Sequence, residues 1–161
     1  MKIFVILHNI RSLHNIGSIF RTAEGLGASK IYLTGYTPEP YDFFGKLRKD
    51  FAKTALSAEK YISWEKLRYI AVLMKRLKKE GIQIVALEQS KKSINLKKFK
   101  SKKSIALILG NEVKGVPKSI LTKCDKILEI KMRGKKESLN VSVAAGIAIW
   151  EITNLPQPPP Y

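Results

Sequence analysis

This chain is short of acidic residues and of cysteine. Its 161 residues include thirteen Asp and Glu, two histidines and one cysteine. A single thiol, Cys124, excludes an intrachain disulfide and points to a reducing compartment, with a structural role for the thiol. His8, His14 and Cys124 do not make ligand spacing with any acid, so no metal site is expected. The chain has no GxGxxG and no GxxxxGK[ST], which removes the usual dinucleotide and P-loop fingerprints. A Ser–His–Asp hydrolase lacks its strand–turn nucleophile elbow. No run approaches the ~18 apolar residues of a membrane span. The opening "MKIFVIL" passes straight into polar "HNIRS" and is too short for a secretory signal. These absences predict a soluble, cytoplasmic protein with no membrane and no metal partner.

Against thirteen acids stand thirty Lys and Arg, for a net charge of +17 and a pI near 10. Such an excess favours a polyanion, because each neutralised phosphate releases counterions. Nucleic acid fits better than an anionic membrane, since no basic amphipathic helix stands apart from the rest. Apolar residues make up 45%, enough to rule out a disordered chain. The length suits one domain, expected over residues 1–155, with a Pro-rich tail at 156–161.

Short, continuous, β-branched runs recur at 2–7, 30–33, 82–87, 104–109 and 126–130, with helical patterns near 16–27, 65–79, 117–123 and 139–155. This alternation predicts an α/β fold, a parallel sheet with helices on both faces. Residues 34–60 read as a long loop with a short helix. There Tyr36, Tyr41, Phe43 and Phe44 stand beside Lys46, Arg48 and Lys49, either to stack on bases or to form a small satellite core, the second being favoured. Seven lysines between 91 and 103 form a solvated loop or a patch that tracks a nucleic-acid backbone.

Three segments concentrate polar residues at strand ends. In "HNIRSLHNIGSIFRTAEGLG" (8–27), Ile16, Ile19, Phe20, Ala23 and Leu26 form one helical face. Gly17, Arg21 and Gly25 form a ridge elsewhere on the helix, with Ser18 beside it. A mid-helix glycine costs about 1 kcal/mol relative to alanine, so the ridge predicts a closely approaching backbone or ligand. His14 reads more simply as polar surface than as a general base.

"LILGNEVKGVP" (107–117) is a buried strand opening into a glycine-bounded turn, with Pro117 at a helix start. Strand carboxyl ends are where α/β sheets bind ligands. Glu112 either meets a ligand or caps the turn. "LEIKMRGKKESLNVSVAAGIAIWEI" (128–152) joins a strand and a polar loop to a helix that is apolar almost all round. Ser138 or Asn140 can cap it. Ser142, Ala145 and Gly146 are small enough to admit another helix, which suggests a dimer seam.

Together the three segments resemble the motifs of the SpoU (TrmH) family of RNA 2'-O-ribose methyltransferases, of the SPOUT superfamily. "NIGSIFRTAEGLG", "LILGNEVKGV" and "IKMRGKKESLNVSVAAGIAI" resemble its first, second and third motifs, and the likeness covers almost the whole chain. The resemblance implies a sheet whose C-terminal part is threaded into a deep trefoil knot, against the general rule of unknotted connections. It implies S-adenosyl-L-methionine as cofactor, held in a bent form by the loops after three strands, at Leu87, Gly110, Ile130 and Leu139. It implies a homodimer.

By the same resemblance Arg21 is the first motif's essential arginine and Asn15 its asparagine. Glu112 is the second motif's acid, and Ser138 and Asn140 are the third motif's serine and asparagine. Lys131 departs from the proline common before the methionine. Methyl transfer to a ribose hydroxyl needs alignment and loss of the hydroxyl proton. A guanidinium holds its proton at neutral pH, so Arg21 is expected to grip the adjacent phosphate or a developing alkoxide. Asn15 and Ser138 would fix the ribose and Arg21, and Asn140 the loop around the donor. Which group finally takes the proton stays open. The implied substrate is tRNA or rRNA, tRNA being favoured on size. The alternatives are a non-catalytic RNA-binding or assembly protein that kept the fold, and methylation of a base nitrogen.

Overall fold

The computed structural model describes residues 1–154; the tail expected at 156–161 lies outside them. Seven parallel strands form one sheet: β1 (Ile3–His8), β2 (Lys30–Thr34), β3 (Trp64–Leu67), β4 (Gln83–Leu87), β5 (Ile94–Asn95), β6 (Ile105–Leu109) and β7 (Lys126–Glu129). Their order is β3-β2-β1-β6-β4-β7-β5. The helices are α1 (Leu13–Gly25), α2 (Lys49–Ala55), α3 (Ile70–Lys79), α4 (Lys118–Leu121) and α5 (Val141–Thr153).

The continuous apolar strands are explained by burial on both faces. Along β1, Ile3, Val5 and Leu7 enter one core with Ile16, Ile19 and Phe20 of α1. Ile6 enters a second core with Leu73, Met74 and Leu77 of α3. β6 divides likewise, Ile105, Leu107 and Leu109 to one side, Ala106 and Ile108 to the other. Period-two side-chain alternation thus feeds two cores, as a sheet covered on both faces requires. α1 and α5 lie over the first face, α3 over the second.

The helix expected from residue 65 begins at Ile70, because 64–67 is instead the edge strand β3. Its charged residues suit an edge: Glu65 pairs with Lys30 at 2.7 Å and with Arg76 at 3.1 Å. The short helix anticipated within 34–60 is α2. Among the described residues no helix is long and apolar enough to cross a membrane.

Gly17 explains its own presence. A Cβ there would come within 2.5 Å of Phe51 O and 3.0 Å of Ala55 N, so the backbone that approaches α1 is α2 of the same chain. Gly25 has open space around it. The small residues of α5 are likewise used internally: Ala145 is fully buried, and a Cβ on Gly146 would rest against Thr22 of α1. Of the three small residues read as a dimer seam, Ala145 and Gly146 thus meet the chain's own packing, and Ser142 stays half-buried. What α5 leaves exposed is a stripe of Val143, Ile147 and Trp150.

Candidate active site

All strands run parallel, so their carboxyl ends share one edge of the sheet. There the loops after β4, β6 and β7 enclose a cavity of about 940 Å³. Leu87, at the end of β4, and Gly110, Ile130 and Leu139, from those loops, all line it, as do Ser138 and Met132. The volume is in the range of pockets for medium-sized organic ligands.

Gly110 lets the second-motif loop fold back on itself. A Cβ there would lie 2.5–2.6 Å from the backbone of Gly115 and Val116. Asn111 closes the same turn, its carbonyl accepting from Gly115 N at 2.9 Å and its Oδ1 from Val113 N and Lys114 N. Its Nδ2 donates outward to Asn9 O at 2.9 Å and Tyr36 Oη at 3.1 Å. Asn9 has a left-handed backbone, φ 55°, and its Oδ1 accepts from Tyr36 N. One asparagine thus ties the loops after β1, β2 and β6 together.

Glu88, which follows Leu87, ties the cavity loops. Its carboxylate accepts from Val116 N at 2.9 Å and Gln89 N at 2.8 Å, while Gln89 Nε2 donates to Glu137 O at 2.6 Å. The sequence reading named neither Glu88, Gln89 nor Asn111. Their only signal was adjacency to Leu87 and Gly110.

Asn15, Glu112 and Asn140 form one hydrogen-bonded line. Glu112 accepts from Ser12 N at 3.0 Å, Arg11 N at 3.2 Å and Asn15 Nδ2 at 3.4 Å. Burial alone would raise its pKa; the bonds from Ser12, its own N–H, Arg11 and Asn15 outweigh that and hold it below the usual carboxylate value. Besides its own N–H, the backbone N–H groups it binds belong to Arg11 and to Ser12, the N-cap of α1. Asn140 Nδ2 donates to Asn15 Oδ1 at 3.1 Å. Asn140 Oδ1 caps α5 by accepting from Ser142 N and Val143 N, so the cap is Asn140, with Ser138 exposed at the cavity.

Arg21 stands apart from this line. It lies six residues beyond Asn15, about 9 Å up the helix and on another side. It is exposed and lines a second, shallow depression with Ser18, Gly25, Lys53 and Thr54. His14 faces Asp50 at 3.7 Å on the surface, and Cys124 is half-buried, its thiol pushed up to about 11 by burial. Among the described residues no three His, Cys, Asp or Glu could hold a metal ion together.

A parallel sheet with a loop-built cavity at its carboxyl edge, flanked by a polar line from three separate segments, defines a ligand-binding α/β protein of enzyme type. The chain belongs to the SpoU rRNA methylase family, whose model matches residues 2–150. It is 34% identical over 149 residues to the tRNA (guanosine(18)-2'-O)-methyltransferase of Aquifex aeolicus, covering 92% of this chain and 67% of that protein. The crystal structure of the A. aeolicus TrmH/SpoU tRNA modifying enzyme matches with a TM-score of 0.81 at 31% identity, over 94% of this chain and 74% of that one. The AdoMet-bound rRNA methyltransferase of Sinorhizobium meliloti matches with a TM-score of 0.82 at 26% identity, over 93% of this chain and 55% of that one. This chain therefore corresponds to a little over half to three quarters of the length of these relatives.

Proposed function

We propose that this protein transfers a methyl group from S-adenosyl-L-methionine to a ribose 2'-hydroxyl of tRNA or rRNA. The observation that carries the reading is the cavity at the sheet's carboxyl edge, which gathers Leu87, Gly110, Ile130 and Leu139 from the end of β4 and the loops after β6 and β7. Its residues fit the cofactor. Apolar side chains offer walls for a flat adenine, and the bare Gly110 keeps the turn folded out of the space. The family and the AdoMet-bound relative support the same assignment.

The bound cofactor would supply an electrophilic methyl group. The chain supplies position. Asn140 and Glu112 hold Asn15 from two sides, at the rim where the acceptor ribose would lie. Ser138, exposed beside the cavity, would bond the ribose. Arg21 would clamp a neighbouring phosphate with its planar fork. Its distance from Asn15 along α1 is accounted for if the acting Arg21 comes from a second copy. The exposed stripe Val143, Ile147 and Trp150 supplies an apolar face for such a homodimer.

The strand order supports a threaded C-terminus. β7 lies between β4 and β5 although both precede it in the chain, so the 88–93 connection spans the slot that β7 fills. A single catalytic domain over 1–155 agrees with the one continuous sheet. tRNA is favoured over rRNA by the A. aeolicus relative. No observation favours a non-catalytic binding protein.

Incubation with tritiated donor and tRNA or rRNA, then nuclease digestion and mass spectrometry, tests the proposal. A 2'-O-methylated nucleoside is the expected product; a base-methylated product, or RNA binding without donor binding, overturns it.

A further inference from the structure

Two phenylalanines at one loop tip are left unexplained by the site. Phe43 is 95% exposed and Phe44 90%. The satellite core favoured for this loop includes Tyr41, whose ring stacks on Trp64 at 6.5 Å, but not these two. Among the described residues their rings meet only each other, edge to face, at 5.6 Å.

The loop is built to hold them out. Asp42 Oδ1 accepts from Phe44 N and Lys46 N, both at 2.9 Å. Asp42 N donates to Lys46 O at 2.8 Å and Gly45 N to Asp42 O at 3.0 Å. Gly45 has φ 77°, which a side chain would strain. A bridge between Tyr41 and Leu47 closes the base, and Arg48 Nε donates to Glu39 O at 3.1 Å. A loop fixed this way cannot fold its phenylalanines onto the core, so it presents apolar faces to something else.

The surroundings say what. Lys46 and Lys49 are exposed around the tip, and Lys53 beyond them is exposed and pairs with Asp50 at 3.4 Å. A second copy of this chain already has the apolar stripe of α5 as its seat, whereas the cations around this tip draw RNA. The loop leads directly into α2, about 10 Å long, which packs on α1: Thr54 Oγ1 donates to His14 O at 2.8 Å. Lys53 and Thr54 share the depression that holds Arg21.

We infer that the Phe43–Phe44 pair is a stacking platform for unpaired bases of the RNA, next to the phosphate taken by Arg21. Aromatic faces accept any unstacked base but find none in a duplex. The inference rests on the proposed function and names the form of its substrate: the target lies in a single-stranded loop or end.

The test compares the full chain with F43A/F44A, whose exposed sites leave the fold intact. Binding of a single-stranded oligouridylate should weaken at least about fivefold, and binding of an RNA duplex of equal charge should not change. F44W should bind the oligouridylate as the parent does, with its indole fluorescence quenched. KM for RNA should rise in F43A/F44A with kcat and donor binding kept. Equal loss for both RNAs, no loss for either, or a change in sedimentation that shows the pair buried between copies overturns the inference while methyl transfer stands. If the parent chain binds neither donor nor RNA, the proposed function falls and this inference with it.

Discussion

Asn140 and Asn15 are separated by 125 residues and meet through one hydrogen bond of 3.1 Å. The same Asn140 side chain uses its other atom, Oδ1, to cap α5. One amide therefore starts the last helix and orients the first-motif asparagine. Asp at this position keeps the cap but loses the donor. N140D should stay within about 0.5 kcal/mol of the parent in urea unfolding, while methyl transfer falls about ten- to a hundredfold through misplacement of Asn15. N140A should lose activity and also about 1 kcal/mol of stability. Equal activity in N140D and the parent would show that the bond to Asn15 has no positioning role.

Arg21 is exposed and makes no hydrogen bond or ion pair among the described residues. R21A should therefore keep its stability to about 0.5 kcal/mol and bind donor normally by calorimetry, yet lose transfer of tritiated methyl groups. R21K should recover little, because an ammonium cannot make the two parallel bonds of a guanidinium. Near-parental turnover in R21A would remove Arg21 from the site.

The two glycines that flank Arg21 should respond in opposite directions. G17A drives a methyl group against the backbone of Phe51 and Ala55, which should cost about 1–3 kcal/mol as overpacking. G25A meets nothing within 4 Å and should be neutral or gain up to about 1 kcal/mol through helix propensity. Urea midpoints with unchanged m values would report both.

His8 is buried at the end of β1, with Nδ1 at 2.9 Å from Thr34 Oγ1. Burial, helped by the positive charge of Lys66, lowers its pKa below 6.5. The unfolded chain then takes up the proton first on acidification. The stability linked to His8 is complete above pH 6.5 and is lost as pH falls through the folded value. Its ring resonances should titrate below 6.5 by NMR, and H8N should flatten the decline of stability on the acid side.

Five of the seven strands were legible because each centres on a short apolar run, from "IFVIL" in β1 to "IL" in β7. β3 was not, since Glu65 and Lys66 at a half-buried edge resemble the polar side of the helix that follows. β5 is only two residues long. The site residues Asn15, Glu112 and Asn140 were legible as types at strand and helix ends, but their mutual bonds were not, because they come from segments about a hundred residues apart. Gly17 shows the limit from the other side. The sequence announces that something comes close there, but it does not distinguish a partner from the chain's own α2. The exposure of Phe43 and Phe44 was also hidden, because aromatic residues in a row fit a core as readily as a surface.

The strand order also bears on how the chain emerges from the ribosome. β6 is the neighbour that β1 and β4 share, and it ends at Leu109. Until β6 has emerged, nothing joins the strands β3-β2-β1 to β4, and β4 has no strand beside it. Ile84, Val85 and Ala86, fully buried in the finished molecule, must wait as an unpaired apolar strand while about twenty more residues are synthesised, on the order of one to a few seconds. The seven lysines at 91–103, all exposed, emerge in that interval, and the like charge that they place beside the waiting strand discourages two nascent chains from pairing there.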